Sequence, residues 1–316
     1  MRVNNSSDID VLILLHVYNE KEMIEKCLKS LQSQDANFLC LISDNLSTDG
    51  TKDFIQKFVQ QNSSNFLLFE PELHLDIASH WHFLYKQSQA KYDYIPYRMV
   101  FAGDDELPSN NYLSNLILSL EKDSKADIAL PTFIFNDNFR STQVAIKIKL
   151  SMRSRLLRVV KLTIFPTRLG YHNFVLGLMR KECFNLWADT FAKLIVFSPQ
   201  LGRPKSAELV AMYRTLWHNR PVHNPDSSYV KNIHNPGRSD RILGLYDSTL
   251  TVKKKSNSKI TFERQLDFSL SLLKATRRFR KFLPWPNFLY LYLLGALWFF
   301  VQVCDLVSMK IKKFLS

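Results

Sequence analysis

Paired cysteines are missing from this chain. Its four, Cys27, Cys40, Cys183 and Cys304, stand far apart, with no C-x-x-C pair and no histidine at metal-ligand spacing. That scatter argues against both a disulfide framework and a zinc site, and a reducing cytosol is the expected compartment. An early apolar run is also lacking. Val11–Leu15 is too short and too late for a secretory leader, so the expectation is a protein kept inside the cell. Neither an internal repeat nor a low-complexity tract is present. Acidic residues are absent from Asn138 to Lys181, a stretch that holds Arg140, Lys147, Lys149, Arg153, Arg155, Arg158, Lys161, Arg168, Arg180 and Lys181. The basic bias returns in Lys253–Lys255 and Arg277–Lys281, while the first 135 residues do not share it. With a formal net charge of +13 over 316 residues, the expected partner is anionic: a nucleotide diphosphate, a lipid surface or nucleic acid.

Short aliphatic runs and helical periods alternate from residue 11 to residue 135. Val11–His16, Phe38–Ser43, Phe66–Phe69, Tyr97–Ala102 and Ile128–Phe135 read as buried strands. Between them, apolar residues recur with a 3.6-residue period around Met23–Leu31, Phe54–Val59, Ile77–Tyr85 and Tyr112–Leu120. Strand, helix, strand in repetition predicts an α/β fold with a mostly parallel sheet and helices on both faces. In such a sheet ligands bind beyond the carboxyl ends of the strands. The residues at those ends are strongly polar here: His16 to Glu20, Asp44 to Thr51, and Gly103 to Glu106.

Asp104, Asp105 and Glu106 follow directly on a hydrophobic strand, where each charge is costly unless solvated, paired or bound to a cation. Mg²⁺ or Mn²⁺ held by a few such carboxylates, with its shell completed by diphosphate oxygens, is one reading. A turn followed by a helix N-cap is the other. The segment Asp44-Asn45-Leu46-Ser47-Thr48-Asp49-Gly50-Thr51 has the same two readings: a turn with Gly50 at an unusual φ, or a loop of short acceptors for a base or ribose.

Taken in order, Val11 to Glu20 with its Tyr18-Asn19-Glu20, the Asp44 to Thr51 loop, and Gly103-Asp104-Asp105 resemble the three motifs of the nucleotide-binding half of family-2 glycosyltransferases with the GT-A fold. The match is clear over residues 9–135 and looser to about 236. The resemblance implies a nucleotide-sugar donor and a divalent metal. It further implies that His16, Tyr18 and Glu20 line the base and ribose pocket, that Asp44 or Asn45 contacts the base, that Asp104 faces the ribose, and that Asp105, with Asp104, faces the metal. Two departures stand out. His16 takes a place often held by Thr or Ser, and Gly-Asp-Asp-Glu replaces two aspartates separated by one residue.

The same resemblance points to a carboxylate base on a helix beyond the fifth strand. Glu208, in Ser206-Ala207-Glu208-Leu209-Val210-Ala211-Met212-Tyr213, is the candidate, with Asp189 in reserve; a plain first-turn glutamate favoured by the helix dipole is the competing reading of Glu208. His234, in Ile233-His234-Asn235-Pro236, resembles a histidine that approaches the diphosphate. His80, Trp81 and His82 lie near the expected donor contacts, although core packing explains them equally. Inverting transfer requires an acceptor hydroxyl, a base to deprotonate it and a stabilised leaving group, and these residues supply candidates for each role.

The expected organisation is a nucleotide-sugar-binding half over 1–135, an acceptor-binding and catalytic half over 136–250, and a basic, apolar helical appendage over 251–316. Phe282–Cys304 has no Lys, Arg, Asp or Glu, but Pro284, Pro286 and Asn287 break its start and both flanks are basic. An interfacial helix on the cytoplasmic face of an anionic membrane is therefore expected, with a packed helix as the alternative. The acceptor expected is lipid-linked or polysaccharide, as in surface glycan assembly. The rival readings are a nucleotidyltransferase, against which stands the lack of a Gly-rich basic loop after the first strand, and a non-enzymatic basic protein binding membrane or nucleic acid. The basic residues of 140–161 neighbour aliphatic rather than aromatic ones, a pattern that suits lipid, and no nucleic-acid partner is expected.

Overall fold

Val11–Val17 (β1) is aliphatic at every position but His16, and every other residue of the strand is buried. A strand with both faces covered needs such a continuous run, because neither face meets water. The computed structural model describes residues 9–137, 140–144, 175–196, 211–212 and 214–233, together with helical positions 289, 292, 293, 296 and 300. After β1 come α1 (Ile24–Gln32), the wholly buried β2 (Phe38–Asp44), α2 (Thr51–Gln61), β3 (Phe66–Phe69), α3 (Ile77–Tyr92), β4 (Tyr97–Ala102), α4 (Tyr112–Lys122) and β5 (Ile128–Asp137). This is the alternation expected from the sequence, element for element. Beyond it lie β6 (Arg140–Val144), β7 (Leu178–Arg180), α5 (Lys181–Val196) and β8 (Pro221–Ile233).

One sheet gathers all eight strands, in the order β3-β2-β1-β4-β7-β5-β6, with β8 on β5. β1 pairs in parallel with β2 and β4, β2 with β3, and β5 with β8. The antiparallel pairings all involve β6 or β7. β7 spans three residues and wedges between β4 and β5, so these two strands, though joined by α4, do not pair directly. Because β8 runs along β5 from Ile128 to Asp137, and β5 crosses the expected boundary at 135/136, the two expected halves share a sheet.

The core lies on both faces of this sheet. Phe101, Tyr112 and Phe133 surround the fully buried Tyr229 of β8, with ring centroids 5.4 to 6.4 Å apart. Such aromatic burial is among the larger contributions a core can make. On the opposite flank Arg98 of β4 is wholly buried; it donates to Asn185 of α5 and to Asp93, and so ties β4 to the end of α3 and to α5. Cys27, Cys40 and Cys183 are free and buried. Among the described residues no helix is long and apolar enough to cross a membrane.

Candidate active site

The parallel strands β1, β2 and β4 end together, at Val17, Asp44 and Ala102 in adjacent register. The loops leaving these ends are laced to one another. Asn19 N–H donates to Ser47 Oγ, Thr48 N–H to Asn19 Oδ1, Glu20 N–H to Thr51 Oγ1, and Lys21 N–H to Asp49 Oδ2. Asn19, Leu46 and Gly50 take positive φ of 55°, 61° and 96°. For leucine that conformation is a strained one, and such strain persists only where the surroundings over-determine it. The surroundings here are Asp44 and Ser47: the Asp44 carboxylate accepts from Ser47 N–H at 2.8 Å and from its hydroxyl at 2.5 Å.

The turn reading of the Asp44 to Thr51 loop is visible in these bonds and in the φ of Gly50. Asp44 is fully buried and spends its carboxylate on the turn. Asn45 exchanges a reciprocal pair with the backbone of Leu75, its Nδ2 donating to the carbonyl and its Oδ1 accepting from the N–H. That pair fixes the segment leading into α3. Tyr18 meets His74 of the same segment edge to face at 4.8 Å, a neighbour that nothing in the local sequence around Tyr18 announces.

The expected trio of His16, Tyr18 and Glu20 meets three different sets of neighbours. His16 turns its ring to α3, stacking on Trp81 at 5.3 Å and meeting His80 edge-on at 5.2 Å. Both of its ring nitrogens are buried, and burial followed by the neighbouring His80 pushes its basicity well down. It lines a narrow apolar cavity with Leu14, Trp81, Trp187 and Phe191. His80 is itself committed to Ser43 at 2.7 Å. Glu20 goes the other way. A Cβ at Gly103 would lie 3.3 Å from its Cγ and from both Val17 methyls, which explains glycine at the start of the carboxylate loop.

Glu20 lies close enough to Asp104 and Asp105 to feel their charges. Burial, then the charges of Asp104, Asp105 and Asp49, push the Glu20 carboxyl up to about 8. Asp105 is only 1% exposed and is pushed up to about 6 by burial, in spite of Lys231 and Tyr229, which favour its charged form. The Tyr229 hydroxyl donates to Asp105 Oδ2 at 2.7 Å, and Lys231 Nζ lies 3.4 Å from the same oxygen. Asp105 Oδ1 has no partner and is buried. Glu106 is occupied elsewhere, with its carboxylate on Lys26 Nζ at 2.7 Å and its backbone paired in both directions with Val230. That pairing sets β8 beside the carboxylates, and a register shift between Leu130 and Thr132 brings Tyr229 and Lys231 into place. Asn224 stitches the shifted segment, accepting from Asp226 and Ser227 N–H and donating to Asn115 on α4.

An unpartnered, buried carboxylate oxygen costs roughly 1–3 kcal/mol or more, and repulsion among Glu20, Asp104 and Asp105 adds to that. A bound cation relieves both, so the donor set fits a hard divalent ion. Among the described residues no three His, Cys, Asp or Glu side chains close on a point tightly enough to hold a metal by themselves. A site of two carboxylates completed by substrate phosphates has no such requirement. Glu208 and His234 lie outside the described residues. The reserve candidate Asp189 sits exposed on α5 and accepts from the Tyr85 hydroxyl at 2.8 Å. Sequence reading missed Tyr229, Lys231 and His74.

Comparison with known proteins bears on the family and the fold. The abequosyltransferase RfbV of Salmonella typhimurium is 36% identical over 116 residues, which is 36% of this chain and 32% of RfbV, so the match spans about a third of the relative's length. The structure of S. aureus TarS 1-349 in complex with UDP-GlcNAc superposes with a TM-score of 0.53 at 16% identity, covering 84% of this chain and 67% of that one. A second S. aureus TarS structure gives 0.52 at 14% identity, over 92% and 54%. These likenesses show the fold. The profile described as glycosyl transferase family 2 matches residues 12–181, more than half of the sequence, and with motifs, sheet order and carboxylate loop in agreement, this chain belongs to glycosyl transferase family 2 and has the GT-A fold.

Proposed function

We propose that the protein transfers a sugar, with inversion, from a nucleotide-diphosphate donor to a lipid-linked or polysaccharide acceptor in surface glycan assembly. The observation that carries this reading is the buried, unpartnered Oδ1 of Asp105 within an acidic group at the carboxyl edge of a GT-A sheet. The 36% identity to a protein named abequosyltransferase supports the sugar-transfer class.

Asp104 and Asp105 would hold Mg²⁺ or Mn²⁺, which when bound neutralises the diphosphate and makes it a better leaving group. The chain's own residues do the rest. Tyr18 and His74 flank the nucleoside side, on a loop whose shape Asp44 and Asn45 maintain. Glu208 accepts the proton of the attacking acceptor hydroxyl. His234 and basic side chains of 140–181 would supply positive charge to the departing diphosphate. His16, expected in the base and ribose pocket, packs against α3 and steadies the strand end beside it.

The tail holds the enzyme on the cytoplasmic face of the membrane. Leu289, Tyr292, Leu293, Ala296 and Phe300 are helical and exposed at the spacing of one helix face, and the flanks, Arg277–Lys281 and Lys310 to Lys313, are basic. That combination suits an interfacial helix on anionic lipid.

A thermal-shift screen of nucleotide-sugars with and without Mn²⁺ tests the donor reading. One donor should raise the melting temperature only with the metal, and Asp105→Asn should weaken that shift and remove metal-dependent turnover while leaving the apo fold intact. Wild-type turnover in Asp105→Asn, with a parent indifferent to EDTA, overturns the metal assignment. Binding confined to duplex DNA or RNA overturns the enzyme reading.

A further inference from the structure

We infer that Tyr229 is a positioning residue that dictates how Asp105 meets the cation, presenting Oδ1 as its single open oxygen; this rests on the metal-dependent reading above. Three observations converge. The Tyr229 hydroxyl and Lys231 Nζ both approach Oδ2 and leave Oδ1 unpartnered. The Tyr229 ring is fully buried and wedged by Phe101, Tyr112 and Phe133, so its hydroxyl has little freedom to move. The segments that carry the two groups are clamped together by the reciprocal Glu106–Val230 backbone pair and by Asn232 Nδ2 donating to the Asp104 carbonyl at 3.0 Å.

A carboxylate free to rotate presents either oxygen, or both, to an ion. With Oδ2 held by the hydroxyl of a rigid ring, Oδ1 would be the oxygen favoured for ligation. That geometry suits a small ion that keeps several positions for phosphate and water. Outer partners of this kind typically alter metal affinity or activity about 10- to 100-fold when removed. Lys231 shares the oxygen but differs in kind: its ammonium is a cation beside the ion's place, so removing it takes away repulsion along with a donor.

Tyr229→Phe deletes the hydroxyl alone and keeps the ring in its aromatic cage. Mn²⁺ affinity, read from the free-ion signal by electron paramagnetic resonance in the presence of the nucleoside diphosphate, should fall about 10- to 100-fold. The unfolding transition should stay cooperative. Lys231→Met should bind Mn²⁺ at least as tightly as the parent. In an Asp105→Asn background the Tyr229→Phe change should have no further effect on Mn²⁺ affinity, because the tyrosine acts through that carboxylate. If the parent binds Mn²⁺ and Tyr229→Phe binds it equally well, or if the two substitutions weaken binding additively, the positioning role is overturned while the metal reading stands. A parent that binds no Mn²⁺ with nucleotide present overturns both.

Discussion

Glu20 makes the metal-free protein sensitive to pH in a direction that can be worked out from its surroundings. Its carboxyl, pushed up to about 8 by burial and by Asp104, Asp105 and Asp49, starts from an ordinary value of 4.5. A group whose folded-state value is raised is easier to ionise in the unfolded chain. The stability tied to its proton is therefore fully present below about 4.5 and lost as the pH rises through about 8. Each pK unit is worth 1.36 kcal/mol, but Glu20 keeps some contact with solvent that screens it, so we expect a loss of roughly 2 kcal/mol rather than the full figure. Urea unfolding in EDTA at pH values from 5 to 9 measures it. The parent should lose that amount across the range, Glu20→Gln should show a much flatter profile, and Mn²⁺ with donor should restore stability most at the alkaline end, where the carboxylates are ionised. A parent and a Glu20→Gln variant with the same pH profile would refute the reasoning, since the acidic group would then not be electrostatically strained.

Glu208→Gln should lower turnover about 10²- to 10⁴-fold, the usual worth of general-base assistance, with donor affinity little changed in calorimetry; near-normal turnover moves the role to Asp189, and lost donor binding gives Glu208 a nucleotide-side role instead. Deleting residues from Phe282 onward should release the protein from anionic liposomes at low salt. A full-length protein that ignores such liposomes, or a truncated one that aggregates as an opened core does, would make the tail a packed helix.

The sequence by itself determined the fold of residues 11–135, because every signal there is local. β1 through β5 declare themselves by aliphatic runs that only a sheet covered on both faces requires, and the helices between them by period. Asp104 and Asp105 stand out because two carboxylates directly follow a hydrophobic strand, and Gly50 because its turn needs a positive φ. What only the tertiary structure decided is which atoms are left to do chemistry. Asp44 and Asn45 look like base contacts in the sequence, and only the structure adds the bonds to Ser47 and Leu75 by which they maintain the loop. β7 is too short to show a period. β8 reads poorly as a strand, with Pro221, Pro225 and a run of polar residues, and it forms because β5 offers a parallel edge along its whole length. Tyr229 and Lys231 lie 124 and 126 residues from Asp105 in the chain. No pattern of spacing reports such a contact, because the energy that selects it comes from packing an aromatic ring and pairing a buried charge, and both exist only once the sheet has closed.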